Sequence, residues 1–141
     1  MLKRRLSDRG ALGLAGLIFA TLATPAAAQQ RLQPGLYVGE YLCGQGLTAL
    51  RLAIEDAGGN RQIGVFDFGG NGGLPSGAYT VRVMRDRGGG YTLTPLRWIR
   101  RPADYVMVGA RLQRRGEQLS GAITDPRCGG VELSGPVPPA D

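Results

Sequence analysis

A short segment that begins at Arg97 and ends at Tyr105 has the composition of a binding surface. It holds the only tryptophan of the chain, Trp98, together with Arg100 and Arg101. Arginine and aromatic side chains dominate the energetics of protein interfaces. A guanidinium group can also hold a carboxylate or phosphate through two parallel hydrogen bonds. We therefore take these five residues as candidate binding residues. The structural alternative is that Trp98 closes one end of the fold while the arginines stay in solvent.

A second candidate site lies around the first run of alternating residues. Tyr37, Tyr41 and Cys43 fall on one face of a strand, because every second side chain points to the same side. Gln45 follows directly, so Tyr41 and Gln45 are candidates for the mouth of a pocket. Tyrosines at such positions can equally be half-buried core residues that keep the hydroxyl at the rim.

The residue types argue against an enzyme. The chain has no histidine and its only lysine is Lys3, so the serines after residue 28 have no ordinary base to activate them. Carboxylates alone would have to supply the acid and the base. No pair of them stands out by spacing, and we expect no catalytic residues. A carboxylate-only enzyme, the alternative, would draw on Glu40, Asp67, Asp104 and Asp125.

Cofactor and metal sites are not indicated. The commonest zinc ligand is missing, and no calcium-binding spacing is present. The glycine-rich stretch 69–73 does not lead into the lysine and Ser/Thr of a phosphate-binding loop. It predicts a flexible hairpin loop instead. We expect no cofactor and no bound metal.

The first 28 residues have the pattern of a secretory signal. Basic residues are followed by an apolar stretch, a proline and three alanines, which favours cleavage after Ala28. The apolar stretch is shorter than the roughly 20 residues that a membrane span needs. A retained membrane anchor is the alternative. We expect a periplasmic or secreted protein with no stable membrane span after cleavage.

The positive charge is divided between this leader and the rest of the chain. The whole chain has a formal net charge of +6. The part after residue 28 has 13 arginines and 10 acidic residues, which leaves a net charge of +3. Nucleic-acid-binding proteins usually have a much stronger basic bias, so we expect no nucleic-acid partner.

The rest of the chain has the pattern of an all-β domain. Short apolar or alternating runs are separated by turn residues, which is typical of a sandwich or barrel. We predict one domain over residues 29–135, a longer connection over 97–104 and a proline-rich tail over 136–141. The eight predicted strands span residues 36–42, 48–55, 62–68, 77–85, 91–96, 105–113, 118–124 and 130–134.

Cys43 and Cys128 provide a test of this strand count. Two cysteines in a secreted chain are expected to pair. With up-and-down connections, the end of the first strand and the start of the eighth lie at the same end of the sheet. If the sheet closes, they are also neighbours within reach of a disulfide. We therefore predict a small antiparallel eight-stranded β-barrel with one disulfide, with a two-sheet β-sandwich as the alternative.

Four short sequence patterns carry a resemblance to one type of protein. They are Tyr37-x-Gly39-x-Tyr41-x-Cys43-x-Gln45, Pro75-Ser76-Gly77-x-Tyr79, Pro95-x-x-Trp98 and Tyr105-Val106-Met107-Val108-Gly109. Together they resemble a small secreted β domain of bacteria that has no settled activity. Ser76-Gly77-Ala78-Tyr79 is also loosely similar to the inhibitory loop of periplasmic lysozyme inhibitors, which are small disulfide-clipped barrels. Ser76 and Tyr79 join the candidate binding residues.

These observations favour an exported, non-catalytic binding protein of the cell envelope. Its partner would be an envelope protein or an anionic envelope component. The expected contact surface combines the Trp98 segment with the loop around Pro75 and Ser76. The alternatives are an inhibitor of lysozyme or another cell-wall hydrolase, and a carrier that holds a small ligand inside the barrel. An open interior would favour the carrier, and a filled interior would argue against it.

Overall fold

The computed structural model describes residues 13, 15–20 and 31–138. Most of the predicted leader, residues 1–28, lies outside these described residues, as do residues 139–141 of the predicted tail. Residues 15–20 have neither helix nor strand, and their apolar side chains are exposed. Within the described ranges, no helix is long and apolar enough to cross a membrane.

Eight antiparallel strands form one closed barrel, which confirms the predicted fold and excludes the two-sheet alternative. Each strand pairs with the next one along the chain, and the eighth pairs with the first. The strands are β1 (Gly35–Cys43), β2 (Gly46–Asp56), β3 (Gln62–Phe68), β4 (Gly77–Arg85), β5 (Tyr91–Arg100), β6 (Ala110–Arg115), β7 (Gln118–Ile123) and β8 (Gly130–Val137).

Alternation of side chains builds the barrel wall. In β2, Leu50, Leu52 and Ile54 are buried inside the barrel, whereas Arg51 and Glu55 are exposed. Successive side chains of a strand point to opposite faces, so one apolar set faces the core and one polar set faces solvent.

Large side chains fill the barrel interior. An eight-stranded barrel is narrow enough for side chains to occupy its centre, and burying one large apolar side chain contributes about 1.5 to 3 kcal/mol. The packed interior is therefore a main source of stability. The largest fully buried side chains are Tyr37, Tyr79, Phe66, Leu32, Leu50, Leu52, Ile54, Leu93, Leu112, Leu119, Leu133 and Val81.

Leu32 closes the barrel end that lies opposite the disulfide. Its side chain is fully buried, and its backbone N–H donates to Oε1 of Gln62 at 3.1 Å. The Gln62 amide nitrogen donates in return to the Leu32 carbonyl at 2.7 Å. Because the polar groups of a buried glutamine need such partners, this exchange holds the segment before β1 against the start of β3.

The Cys43–Cys128 disulfide joins the two strands that close the barrel. Cys43 is the last residue of β1, and Cys128 lies two residues before β8. Beside it, the N–H of Gly129 donates to the carbonyl of Leu42 at 2.8 Å. The predicted pairing of the two cysteines is confirmed, and it lies where β8 enters the sheet next to β1.

β5 is longer than the sequence predicted. It runs to Arg100 rather than to residue 96, so Arg97, Trp98 and Arg100 lie in a strand and not in a connection. The pairing of β4 with β5 has two irregularities, which flank Tyr79 and Thr80. Bulges of this kind bend a strand and accommodate a residue that does not fit the ladder. β5 can therefore continue beyond Pro95.

β6 is correspondingly shorter than predicted. It begins at Ala110 rather than Tyr105, and residues 101–109 form the connection. Val106, which lies within the predicted strand 105–113, is 50% exposed. β5 and β6 pair at only three positions, from Tyr91 to Leu93 on β5. The preceding residues are held by a side chain instead of a strand ladder, as described below.

β8 extends into the segment that the sequence assigned to a tail. Val137 pairs with Leu36 of β1, so Pro136 and Val137 belong to the barrel wall. Alternation alone could not predict this, because the prolines that flank Val137 indicate a strand end.

Removing the disulfide should destabilise the barrel strongly. Cys43 and Cys128 are separated by 85 residues, and closing a loop of that length stabilises a fold by about 4.5 kcal/mol in the chain-entropy model. We expect the double substitution Cys43→Ala with Cys128→Ala to lower the free energy of unfolding by roughly 3 to 5 kcal/mol. Urea denaturation of the variant beside the oxidised and reduced parent protein measures this difference. A loss below about 1 kcal/mol would show that the strand ladder closes the barrel without help.

Candidate functional site

The disulfide end of the barrel gathers the predicted binding residues. In an up-and-down barrel, alternate connections emerge at the same end. The disulfide end therefore comprises the connections 44–45, 69–76, 101–109 and 124–129 with the strand ends beside them. All nine predicted binding residues lie in these connections or on the adjoining parts of the strands: Tyr41, Gln45, Ser76, Tyr79, Arg97, Trp98, Arg100, Arg101 and Tyr105.

A cavity of about 190 Å³ opens at the disulfide end. Pockets for drug-sized ligands usually measure about 300 to 1,000 Å³, so this cavity suits a single side chain or ring. Aromatic rings form much of its wall, and polar groups stand at its rim. It is lined by Tyr41, Cys43, Gly44, Gln45, Phe68, Tyr79, Asp104, Tyr105, Val106, Val108 and Arg127.

Stacked aromatic rings support the cavity. Tyr79 stacks on Phe66 with ring centroids 4.8 Å apart, and Tyr105 stacks on Phe68 at 5.5 Å. Trp98 meets Tyr79 edge-on at 5.2 Å. Such pairs contribute about 0.5 to 1.5 kcal/mol beyond the area they bury. The cluster therefore holds the cavity wall in a fixed shape.

Tyr79 anchors the connection between β5 and β6. Its hydroxyl donates to the carbonyl of Val108 at 2.7 Å and accepts from the N–H of Val108 at 3.0 Å. The tyrosine is buried, so this exchange replaces the strand pairing that the connection lacks. Burial raises the pKa of Tyr79, and the bond to the Val108 carbonyl opposes that rise in part. Since both hydrogen-bonding positions of the hydroxyl are taken, Tyr79 shapes the site and offers no free polar group.

Tyr41 and Gln45 lie together at the cavity, as the sequence predicted. The Gln45 amide donates to the Tyr41 hydroxyl at 3.3 Å and to the Thr48 hydroxyl at 2.9 Å. Burial raises the pKa of Tyr41 to about 12, although the hydrogen bond from Gln45 opposes it. The Tyr41 ring is therefore a neutral, buried wall of the cavity at ordinary pH.

Trp98 is half-buried beside the cavity and does not line it. Its ring packs against Phe68 and Tyr79, and the guanidinium of Arg101 lies 5.7 Å from the ring centroid. The Nε of Arg101 also donates to the carbonyl of Tyr105 at 3.1 Å. Trp98 thus packs against the aromatic cluster behind the cavity wall, and Arg101 connects it to the rim.

Arg97 and Arg100 lie on the outer wall of the barrel, away from the cavity. Both are exposed in β5, and the guanidinium of Arg100 lies 3.6 Å from a carboxylate oxygen of Asp67. An exposed pair of this kind contributes little to stability. The sequence grouped these arginines with Trp98 by their spacing, but the strand directs them to the other side of the wall.

Asp104 stands at the rim in an unusual backbone conformation. The N–H of Tyr105 donates to the carbonyl of Pro102 at 3.4 Å, which closes a turn. Asp104 occupies the third position of that turn with φ of 65°. Aspartate accepts this left-handed region better than most residues do. The turn places the Asp104 carboxylate and the Tyr105 ring on the same cavity.

Arg127 enters the rim from the loop that carries the disulfide. Its guanidinium and backbone N–H donate three hydrogen bonds to the Asp125 carboxylate, at 2.7 to 3.0 Å. These bonds lower the pKa of Asp125 to about 2. Asp125 remains a carboxylate at any physiological pH, so the Arg127 charge next to the cavity is partly compensated.

Ser76 is exposed at the end of the glycine-rich loop 69–76. The sequence predicted a flexible loop, but the structure shows one that is anchored to β2. The Asn71 side chain accepts from the N–H of Ala49 at 2.9 Å and donates to the Leu47 carbonyl at 3.2 Å. Gly69 has φ of 85°, and a Cβ there would collide with the Pro75 carbonyl. Glycine is therefore required where the loop leaves β3.

The cavity includes residues that the sequence did not single out as site residues. The sequence placed Phe68 only in the predicted strand 62–68, and it gave no prediction for Arg127. The arginine next to the disulfide was a usable signal, because the disulfide end was predicted. Val106 and Val108 gave no signal, since alternation placed both inside a strand.

Comparison of the chain with protein-family models, with curated proteins and with solved structures gives no match. Among the described residues 13, 15–20 and 31–138, no group of three or more Cys, Asp or Glu side chains is placed to hold a metal ion.

Replacing Tyr79 by phenylalanine should loosen the connection 101–109. The substitution removes one hydroxyl and leaves a buried carbonyl and a buried N–H of Val108 without partners, which costs about 2 to 4 kcal/mol. Hydrogen exchange of the Val108 amide should accelerate in proportion to this loss of stability. Tyr105→Phe is the matched control, because no hydrogen bond of its hydroxyl is found within the described residues. Equal destabilisation by both substitutions would contradict the anchoring role.

Stability should fall at alkaline pH. The pKa values of Tyr37, Tyr41 and Tyr79 are raised in the folded chain, mainly by burial. Above about pH 10 the unfolded chain ionises these tyrosines while the folded chain keeps them neutral. Each then lowers the free energy of unfolding by up to about 1.4 kcal/mol per pH unit. Urea unfolding and tyrosinate absorbance between about pH 8 and 11 should show stability that is level at first and lost above about pH 10. A rise in stability over that range would contradict the burial of these hydroxyls.

Proposed function

We propose that this protein is a non-catalytic binding protein of the cell envelope. In this proposal it is exported through its leader and binds a protein partner at the disulfide end. The observation that carries the proposal is the cavity of about 190 Å³ walled by Tyr41, Phe68 and Tyr105. A recess of that size can accept one protruding apolar or aromatic side chain of a partner.

The surroundings of the cavity support a protein partner. The exposed rim residues Asp104, Val106 and Arg127 mix charge with apolar surface, and Arg101 lies on the half-buried Trp98 nearby. Interfaces commonly combine a buried aromatic centre with a polar rim. The rim carries both positive and negative charges, which is a poor match for a purely anionic component. A protein that inserts a side chain into the recess matches the site better.

The disulfide supports the proposed location. Disulfides persist in oxidising compartments such as the bacterial periplasm and the extracellular space. The chain also carries an exposed apolar stretch, which includes Leu17, Ile18 and Phe19, and the barrel core does not use it. An exported protein with a separate leader accounts for both features.

The carrier alternative finds little support in the barrel interior. Tyr37, Phe66 and Tyr79 fill the space that an enclosed ligand would need.

The inhibitor alternative is supported by Ser76, which is exposed at the disulfide end, while Gly77, Ala78 and Tyr79 are buried in β4. An inhibitor would therefore have to act through Ser76 and the neighbouring connections.

Blocking the cavity should release the partner. A photo-crosslinking residue in place of the exposed Ala103, which is in the connection 101–109, should form an adduct with an envelope protein. We expect Val106→Arg to reduce that adduct at least tenfold, because a long charged side chain would cover the recess. Leu96→Arg is the matched control, since Leu96 is also an exposed apolar residue but lies on the outer wall of β5.

The outcomes separate the alternatives. An adduct that survives Val106→Arg, or that is lost equally with Leu96→Arg, would place the partner elsewhere. Absence of any adduct in envelope preparations would count against a protein partner. If the captured protein is a cell-wall hydrolase, measuring its turnover with and without added protein decides between inhibition and simple binding. Circular dichroism of each variant confirms that the barrel is folded.

A further inference from the structure

The opposite end of the barrel carries a cleft lined by arginine. We propose that this cleft binds the phosphate group of an anionic ligand and that an anionic phospholipid is its principal source. The cleft measures about 350 Å³, which falls within the usual range for ligand sites. Four of its eight lining residues are Arg31, Arg61, Arg82 and Arg85.

The positive charge in the cleft is only partly compensated. Arg31 lies 3.7 Å from a carboxylate oxygen of Asp56. Arg61 and Arg82 have no ion pair with a carboxylate in the described part of the chain. Like charges that surround one recess raise its local potential and attract an anion. A group with several acceptor oxygens can satisfy more than one guanidinium at once.

Two of the arginines are held in position by the protein. Arg31 donates to the carbonyl of Gly59 and to Oδ1 of Asn60, the latter at 3.4 Å. Arg85 lies over the Tyr91 ring at 5.4 Å and donates to its hydroxyl at 3.3 Å. Guanidinium groups that the protein already holds lose less conformational freedom when a ligand binds. Arg61 and Arg82 also line the cleft and are exposed.

The floor and wall of the cleft are firm and partly apolar. Gln62 is buried, and its side-chain amide forms hydrogen bonds with Leu32 and Asp56. Met84 is 50% exposed, and Val83 lies next to it in β4. A ligand that joins a phosphate to an apolar part fits such a lining better than a wholly polar anion does. Guanidinium groups are the usual partners of phosphate because their planar donors match its oxygens.

The course of the chain places this cleft near the leader. Leu17, Ile18 and Phe19 are exposed apolar residues, and Arg31 lines the cleft only eleven positions after residue 20. Even a fully extended chain of that length spans at most about 40 Å. While the leader lies in a bilayer during export, the arginine cleft is therefore within about 40 Å of it. Cleavage after Ala28 would add a positive amino terminus two residues before Arg31.

The test compares two double variants that lose the same charge. Arg61→Gln with Arg82→Gln removes the two exposed arginines of the cleft. Arg51→Gln with Arg111→Gln removes two exposed arginines of the outer wall, which do not line the cleft. Both variants and the parent are made as the full chain, so any contribution of the leader is common to all three. Thermal unfolding by circular dichroism confirms that each one folds.

Three probes distinguish the source of the phosphate. Phosphatidylglycerol vesicles, phosphatidylcholine vesicles and inorganic phosphate are each titrated, by co-sedimentation or by nuclear magnetic resonance. We expect binding to phosphatidylglycerol to exceed binding to phosphatidylcholine, and to weaken at least tenfold in the cleft variant but less than twofold in the wall variant. The tenfold figure follows from about 1 kcal/mol for each arginine near an anionic surface.

Every outcome decides the proposal. Binding of inorganic phosphate that depends on Arg61 and Arg82, without binding of vesicles, would support the phosphate site but assign it a soluble ligand. Equal loss in both double variants would indicate general surface charge and overturn the site. Binding of neither phosphate nor phosphatidylglycerol would also overturn it. The partner at the disulfide end is not involved in any of these measurements.

Discussion

Closure of the sheet between β1 and β8 is the constraint on which the rest of the structure depends. These strands lie at the two ends of the domain sequence, so their pairing costs more chain entropy than any hairpin in the fold. The Cys43–Cys128 disulfide restricts that entropy in the unfolded chain, close to where Gly129 meets Leu42. Closure also removes the free sheet edges that would otherwise invite aggregation.

The closed wall determines where binding can occur. Eight strands enclose a space that their inward side chains fill, and Tyr37, Phe66 and Tyr79 occupy it here. A ligand or partner is therefore confined to the ends and the outer wall. The two ends are closed differently. Aromatic rings surround the recess at the disulfide end, whereas Leu32 and Gln62 seal the other end and leave arginines around it.

Much of this architecture could be predicted from the sequence. Alternation in β2 is uninterrupted, because Leu50, Leu52 and Ile54 alternate with polar or small residues, and the strand was predicted over residues 48–55. Cys43 and Cys128 lay at positions that a closed eight-stranded sheet brings together. Local periodicity and this one long-range link favoured the barrel, but they left a two-sheet sandwich open until the pairing of β1 with β8 was known.

The errors arose where a side chain replaces a strand ladder. Residues from Tyr105 onward alternate like a strand, but the Tyr79 hydroxyl takes both backbone groups of Val108 and holds the segment as a connection. No local pattern carries that information, since the two residues are 29 positions apart. The same limit applies to the cavity. Its wall comes from three separate connections and three strands, so spacing along the chain could bring Tyr41 and Gln45 together but could not add Arg127 to them.

The two candidate surfaces are separated by the length of the barrel. β1 has nine residues, which span about 30 Å along the strand and roughly 20 Å along the axis of a tilted barrel. That distance exceeds the screening length of about 8 Å at physiological ionic strength, so the charges of one end have little effect on the other. An anionic surface bound at the arginine cleft would leave the aromatic recess facing away from it. The two proposed sites are therefore compatible in one barrel, with its filled interior as the spacer between them.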